Sequence, residues 1–215
     1  QVFAARDHRF SGLSGAAMMT YHDGDMKAAV KCYLPDAEFS ARDVVEAIGI
    51  DGRMPKFQVR SLLASFIAHS VLNWDIVPPV TLAFFGGRIC TMAPFIEGAS
   101  LHKTLMNNLP LSNAFLRSFR DGAIHVDEWK DHVGEQFRED YTRLALFAML
   151  IGDHDRHLNQ FIVKGKQPNF IKGIDWDLAF GSKFKTDENP MLLAEHLPAA
   201  FWPTSIPKAI AEEFG

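Results

Sequence analysis

The sequence has no run of 18 consecutive apolar residues, so no segment reads as a membrane-spanning helix. Cysteine is scarce. Only Cys32 and Cys90 occur, each inside an apolar strand-like run. Two such residues make neither a disulfide framework nor a metal-ligand spacing, and the default expectation is a reducing compartment. Charge of one sign is not in excess either: 22 Lys and Arg face 26 Asp and Glu, for a net charge of −4. With a pI of about 6.1, a global electrostatic pull toward nucleic acid is excluded. There is no internal repeat, no low-complexity tract, no Gly-x-Ser-x-Gly elbow, no P-loop lysine motif and no dinucleotide fingerprint. Nine histidines are present, but His125 and His132, seven apart among acids, fit no tight zinc motif.

What is present is a chain of 215 residues, 47% hydrophobic and 22% charged, with 18 Phe spread along its length. That composition is globular rather than disordered, and the length suffices to bury roughly 70% of the unfolded surface. The chain begins at Gln1 and reads as processed or trimmed, so nothing about targeting is drawn from its start.

The first third reads as strands. Met18 to Tyr21 and Met26 to Tyr33 flank the turn His22-Asp23-Gly24-Asp25, a strong hairpin signal. Residues 41–50 read as a short helix. A longer one is expected from about Phe57 to Trp74, with Leu62, Phe66, His69 and Leu72–Asn73 near one face, until Pro78-Pro79 stops it. A second hairpin runs from Val80 to Phe85 and from Arg88 to Phe95. Beyond residue 99 the pattern turns helical. Its clearest stripe is Trp129, Val133, Phe137, Tyr141, Leu144, Phe147–Ala148 and Ile151. Two short apolar runs follow, Phe161–Val163 and Phe170–Ile174, and then a tail broken by Pro190, Pro198, Pro203 and Pro207. The expected fold class is therefore α+β. A strand-rich lobe would span 1–95 and a mainly helical lobe 96–215, with a cleft between them.

The residues that carry chemistry are Gly152-Asp153-His154-Asp155-Arg156-His157-Leu158-Asn159-Gln160-Phe161 and Gly173-Ile174-Asp175-Trp176-Asp177-Leu178-Ala179-Phe180-Gly181. Each polar cluster abuts a short apolar run, which would project carboxylates and an amide from loops held by a small hairpin. Phosphoryl transfer needs one carboxylate to orient the acceptor hydroxyl, and a carboxylate with an amide oxygen to hold Mg²⁺ against the phosphates. Both parts occur here in that order. His154 and His157 bracket the first cluster and read as shaping it through hydrogen bonds.

Asp155-Arg156-His157-Leu158-Asn159-Gln160-Phe161 resembles the catalytic loop of atypical kinases of the phosphatidylinositol 3-/4-kinase, actin–fragmin kinase and HipA-like groups. Ile174-Asp175-Trp176-Asp177-Leu178-Ala179-Phe180-Gly181 resembles their metal-binding motif, the counterpart of Asp-Phe-Gly in protein kinases. The resemblance covers about 30 residues closely and the remainder only in order and length. It implies a bilobal protein-kinase-like fold with a minimal C-lobe, ATP as cofactor with Mg²⁺ or Mn²⁺, Asp155 as the catalytic base, and Asp175 as a metal ligand. The position five after Asp155 is Gln160 where those families carry Asn, so Asn159 and Gln160 stand together as candidates for the metal-facing amide.

The same resemblance assigns the front of the chain. Gly12-Leu13-Ser14-Gly15-Ala16 would bring backbone N–H groups to phosphate. Lys31, in Ala28-Ala29-Val30-Lys31-Cys32-Tyr33, resembles the strand lysine that contacts the α- and β-phosphates. Lys27 shares its face by parity and competes with it, but Lys31 is embedded in the apolar run, where an unpaired ammonium is costly. A kinase lysine pairs with an acid on the next helix. The 57–74 helix carries none, which leaves Glu46 as first candidate with Glu38 and Asp43 behind it. Ala93, Phe95 and Ile96 fall where adenine would be read.

The implied activity is transfer of the γ-phosphate of MgATP to a protein Ser or Thr hydroxyl. A phosphoinositide headgroup is the alternative acceptor, although no basic cluster for anionic lipid is evident. A nucleotide-binding pseudokinase serving as an interaction module is the alternative from another class. The short stretch after Gly181 suggests by analogy a small bacterial effector or toxin kinase. A cytoplasmic location is expected, with delivery into a host-cell cytosol as the effector variant.

Overall fold

The computed structural model describes residues 6–8, 17–23, 26–32, 57–85, 88–120, 123–153, 156–165, 167–180 and 208–213, and over these the chain is mixed α+β. They fall into two compact units. One comprises the described residues of Gln1–Ile96 with Asp175–Lys185, the other those of Glu97–Ile174 with Thr186–Gly215. The expected helix at 41–50 lies outside the described residues, as does the tail up to residue 207.

The first unit is built on an antiparallel sheet of five strands: β1 (Arg6–His8), β2 (Ala17–Asp23), β3 (Met26–Cys32), β4 (Thr81–Phe85) and β5 (Arg88–Pro94), arranged β1-β2-β3-β5-β4. The Asp-Gly signal joins β2 to β3. Asp23 pairs with Met26, so the loop is two residues long, the length whose twist matches that of the flanking strands. Side-chain alternation then sorts β3. Val30 and Cys32 are buried with Cys90 and the half-buried Met92 of β5, and Lys31 falls on the opposite face.

The two cysteines correct the sequence reading. Cys32 and Cys90 are directly paired across β3 and β5 with Cα atoms 4.3 Å apart, and they form a disulfide. Facing residues of an antiparallel pair come that close only where they share no ladder hydrogen bonds, a relation across 58 positions that spacing in sequence does not reveal. A bonded pair belongs to oxidising surroundings, so scarcity of cysteine no longer argues for a reducing compartment.

Helix α1 (Phe57–Phe66) continues into a π turn at Ile67–Val71 and packs on β4 and β5. It forms where expected but buries a different face: Phe57, Arg60, Ser61, Ala64, Ser65 and Ala68 are inside, Leu62 is half-buried, and Phe66 is exposed. The polar residues are admitted because their groups are satisfied. Arg60 Nη1 donates to the Ala179 carbonyl at 2.7 Å, while Ser65 Oγ donates to the Pro78 carbonyl and accepts from the Val80 amide.

The second unit contains β6 (Ala99–Ser100), α2 (Leu101–Met106), α3 (Leu109–Ser118), the ribbon β7 (Phe119–Arg120) and β8 (Ala123–Ile124), α4 (Glu135–Leu150), β9 (Phe161–Val163), β10 (Ile171–Gly173) and α5 (Lys208–Glu212). Strands β10, β9 and β6 pair in that order. Gly98, at φ +157°, lets β6 reach β9, because a Cβ there would lie 2.4 Å from the Val163 carbonyl oxygen.

The long apolar stripe is not one helix. Val126–Trp129 is a 3₁₀ turn, and α4 starts only after Gly134, an extended residue whose amide donates to Pro168 and whose Cα abuts Asn169. Every residue expected on the stripe is nevertheless buried. Trp129 stacks on Phe115 at 5.3 Å and meets Phe137 and Tyr141 edge-on, and Tyr141 continues to Phe161. Among the described residues, no helix is long and apolar enough to cross a membrane.

Candidate functional site

The first unit gathers one cation and two carboxylates. From β3, Lys31 Nζ donates to Asp175 Oδ1 at 2.5 Å and to Asp177 Oδ2 at 2.7 Å, bridging 144 and 146 positions of sequence. The carboxylates differ in setting: the Asp175 side chain is 37% exposed and that of Asp177 only 4%. The segment carrying them is fixed by its apolar members, since Trp176, Leu178 and Ala179 are all buried. Asp175 adopts φ +63° and Phe180 φ +65°, left-handed conformations that turn the chain sharply on either side of this segment. The Arg60 guanidinium holds the Ala179 carbonyl from α1.

Formal charge over Lys31, Asp175 and Asp177 is +1 − 2 = −1. A cluster of that sign could take a cation rather than a bare anion. The donor set suits Mg²⁺, which takes one or two protein carboxylates and completes its shell with water and phosphate oxygens. Among the described residues no three His, Cys, Asp or Glu side chains form a group that could hold a metal ion by themselves.

Lys27, the competitor on β3, is exposed. Of the positions expected to read adenine, Ala93 pairs with Ala29 inside the sheet, and Phe95 donates its amide to the Lys27 carbonyl at 2.9 Å. The Phe95 N–H is thus committed to the sheet, and the residue is half-exposed. Ile96 is the last residue of this unit before Glu97. Gly12, Leu13, Ser14, Gly15, Ala16 and Glu46, with Glu38 and Asp43, lie outside the described residues.

The second unit shapes the other cluster. Helix α4 ends in a left-handed Gly152 at φ +58°, with Gly152 N–H donating to Met149 and Asp153 N–H to Ala148, the paired bonds of a Schellman cap. The cap delivers Asp153 into the interior, where its carboxylate accepts from Arg156 Nε at 2.6 Å with both side chains buried. Arg156 Nη1 also donates to the Ile174 carbonyl, and its guanidinium lies 5.8 Å from the Phe161 ring centre. The Ile174 amide returns to the Gln160 carbonyl. The loop ends are therefore tied to β9 and β10. Asp155 and His154 lie outside the described residues.

The amide pair separates by exposure. Gln160 is buried, whereas Asn159 is exposed and its Oδ1 accepts from Ser100 Oγ at 3.2 Å. His157 Nδ1 accepts from the Asn159 amide at 3.3 Å, the loop-shaping contact expected of it. On α4, burial lifts the Asp140 carboxyl above the usual carboxylate range against the opposing pull of Gln136 and Arg143, and burial raises the Tyr141 hydroxyl far above its ordinary value.

Sequence reasoning left Asp177, Arg60, Asp153 and Arg156 without roles. A signal existed for two of them: Asp177 repeats the acid of Asp175 two positions on, and Arg60 is the only charge in an otherwise neutral helix. No protein-family model matches the chain, and no curated protein matches it.

Proposed function

We propose that the chain is an ATP-dependent phosphotransferase, a Ser/Thr protein kinase moving the γ-phosphate of MgATP to a protein hydroxyl. The observation that carries this reading is the convergence of Lys31 with Asp175. The two were assigned to phosphate and to metal from motifs far apart in sequence, and they share one charged cluster. Lys31 binds the α- and β-phosphates, and Asp175 holds Mg²⁺. The resemblance gives the metal-facing amide to Asn159 or Gln160. The bound metal neutralises phosphate charge and orients the γ-phosphoryl group. Asp155 orients the acceptor hydroxyl and takes its proton. The resemblance assigns adenine to the segment from Ala93 to Ile96 and the phosphates to the backbone amides of Gly12 to Ala16.

Incubation with γ-labelled ATP and Mg²⁺, alongside a protein extract and mixed phosphoinositides in separate arms, tests the reading. Label in protein supports it, and label in lipid alone moves the acceptor to the headgroup. MgATP binding without transfer to either assigns the chain to the pseudokinase class.

A further inference from the structure

We infer that Asp177 is the positioning residue for Lys31, in the place that a helix acid takes in the kinase-like reading, and that Asp175 alone is left to turn toward metal. What Lys31 does rests on the proposed function; what holds it does not. Helix α1 offers no acid, and its buried charge is the cation Arg60. Asp177 lies 2.7 Å from the ammonium with its side chain 4% exposed, so water screens this pair little. Its neighbours Trp176, Leu178 and Ala179 are buried, and Arg60 grips the Ala179 carbonyl two residues on. Asp177 therefore sits on a packed and anchored segment. Asp175 touches the same ammonium but is 37% exposed, so solvent weakens that attraction and leaves the carboxylate accessible. One carboxylate is a fixed counter-ion and the other an exchangeable ligand.

The test reads the lysine directly. Lys31 is acetylated with an N-hydroxysuccinimide ester at one fixed pH, and the modified peptide is quantified against time by mass spectrometry. Asp177→Asn should raise the labelling rate of Lys31 severalfold, because the ammonium loses the carboxylate that holds it, and Asp175→Asn should raise it by clearly less. No rise in Asp177→Asn, or a larger one in Asp175→Asn, overturns the assignment. Should Asp177→Asn fail to fold, the double variant Lys31→Met with Asp177→Asn decides. A folded double variant supports the pairing, because the buried charge has lost its need for a partner, and one that also fails to fold overturns it. Protection of Lys31 by MgATP in the unaltered chain reads the proposed function separately. If MgATP gives no protection while the Asp177→Asn rise stands, the kinase reading falls and the pairing remains.

Discussion

The ammonium of Lys31 meets the buried carboxylate of Asp177 at 2.7 Å, although 146 positions of sequence separate them. That contact places the lysine of a central strand on the segment bearing the second acidic motif, within one compact unit. A lysine in an apolar strand needs such a partner, since an uncompensated ammonium at that depth is strongly disfavoured.

Lys31 and Lys27 share a strand face but not an environment. Lys31→Ala should lower phosphoryl transfer by about 10²-fold or more, the scale for deleting a positioned electrostatic contact to the reacting group. Lys27→Ala should leave the rate within about twofold, because its side chain is exposed and interactions there are screened by solvent. Initial-rate measurements at saturating MgATP compare them. A critical Lys27 would contradict the placement of phosphate beside Lys31.

In the second unit, Arg156→Met removes the guanidinium from a fully buried Asp153. Breaking a buried pair on one side costs about 3–5 kcal/mol, so urea unfolding should show a loss of that order. Asp153→Asn combined with Arg156→Met should lie closer to the unaltered chain than Arg156→Met alone. The reverse order would mean that the two side chains are not coupled.

Asp140 provides a pH test with a defined sign. Burial, the largest cause, holds its carboxyl above the ordinary value in the folded chain, while the unfolded chain titrates at that ordinary value. Between the two, the folded state keeps a proton that the unfolded state has released, so this contribution to stability falls as pH rises through the window. Relative to Asp140→Asn, which cannot titrate, the unaltered chain should gain stability as pH drops from neutral toward the carboxylate range. Thermal melts of both proteins across that range measure the difference. A relative loss on acidification would contradict the assignment.

Gly98→Ala should destabilise the second unit by about 1–3 kcal/mol, the scale of an overpacked contact, because the new methyl would collide with the Val163 carbonyl oxygen at 2.4 Å. A lowered thermal midpoint is the expected readout, and an unchanged one would mean that β6 and β9 are not held so closely.

The local parts of the fold were legible in sequence, and the distant pairings were not. Asp-Gly at 23–24 announced the hairpin that brings Asp23 opposite Met26, and the apolar spacing from Trp129 to Ile151 named a buried stripe correctly. That spacing could not show the break before Glu135, because a 3₁₀ turn followed by a helix can bury the same residues as one continuous helix. The face of α1 was misread because apolar content favoured Leu62 and Phe66. The structure instead buries Arg60 and Ser65, whose partners Ala179, Pro78 and Val80 only the fold supplies. Cys32 with Cys90, and Lys31 with Asp177, are consequences of strand order and of the return of residues 175–180 to the first unit, neither of which hydrophobic periodicity encodes.

Titration calorimetry of ATP into the purified protein, with Mg²⁺ and with EDTA, tests most directly whether the Lys31–Asp175–Asp177 cluster is a metal–nucleotide site. The proposed site predicts saturable binding with Mg²⁺ and much weaker binding in EDTA, because two carboxylates against one ammonium do not attract a bare triphosphate. Asp175→Ala should abolish or sharply weaken the binding, whereas Asp155→Ala should retain it while turnover falls by roughly two to four orders of magnitude. No heat of binding at millimolar MgATP, or equal binding in EDTA, would contradict the proposed site. Loss of binding in Asp155→Ala with full binding in Asp175→Ala would reverse the two roles.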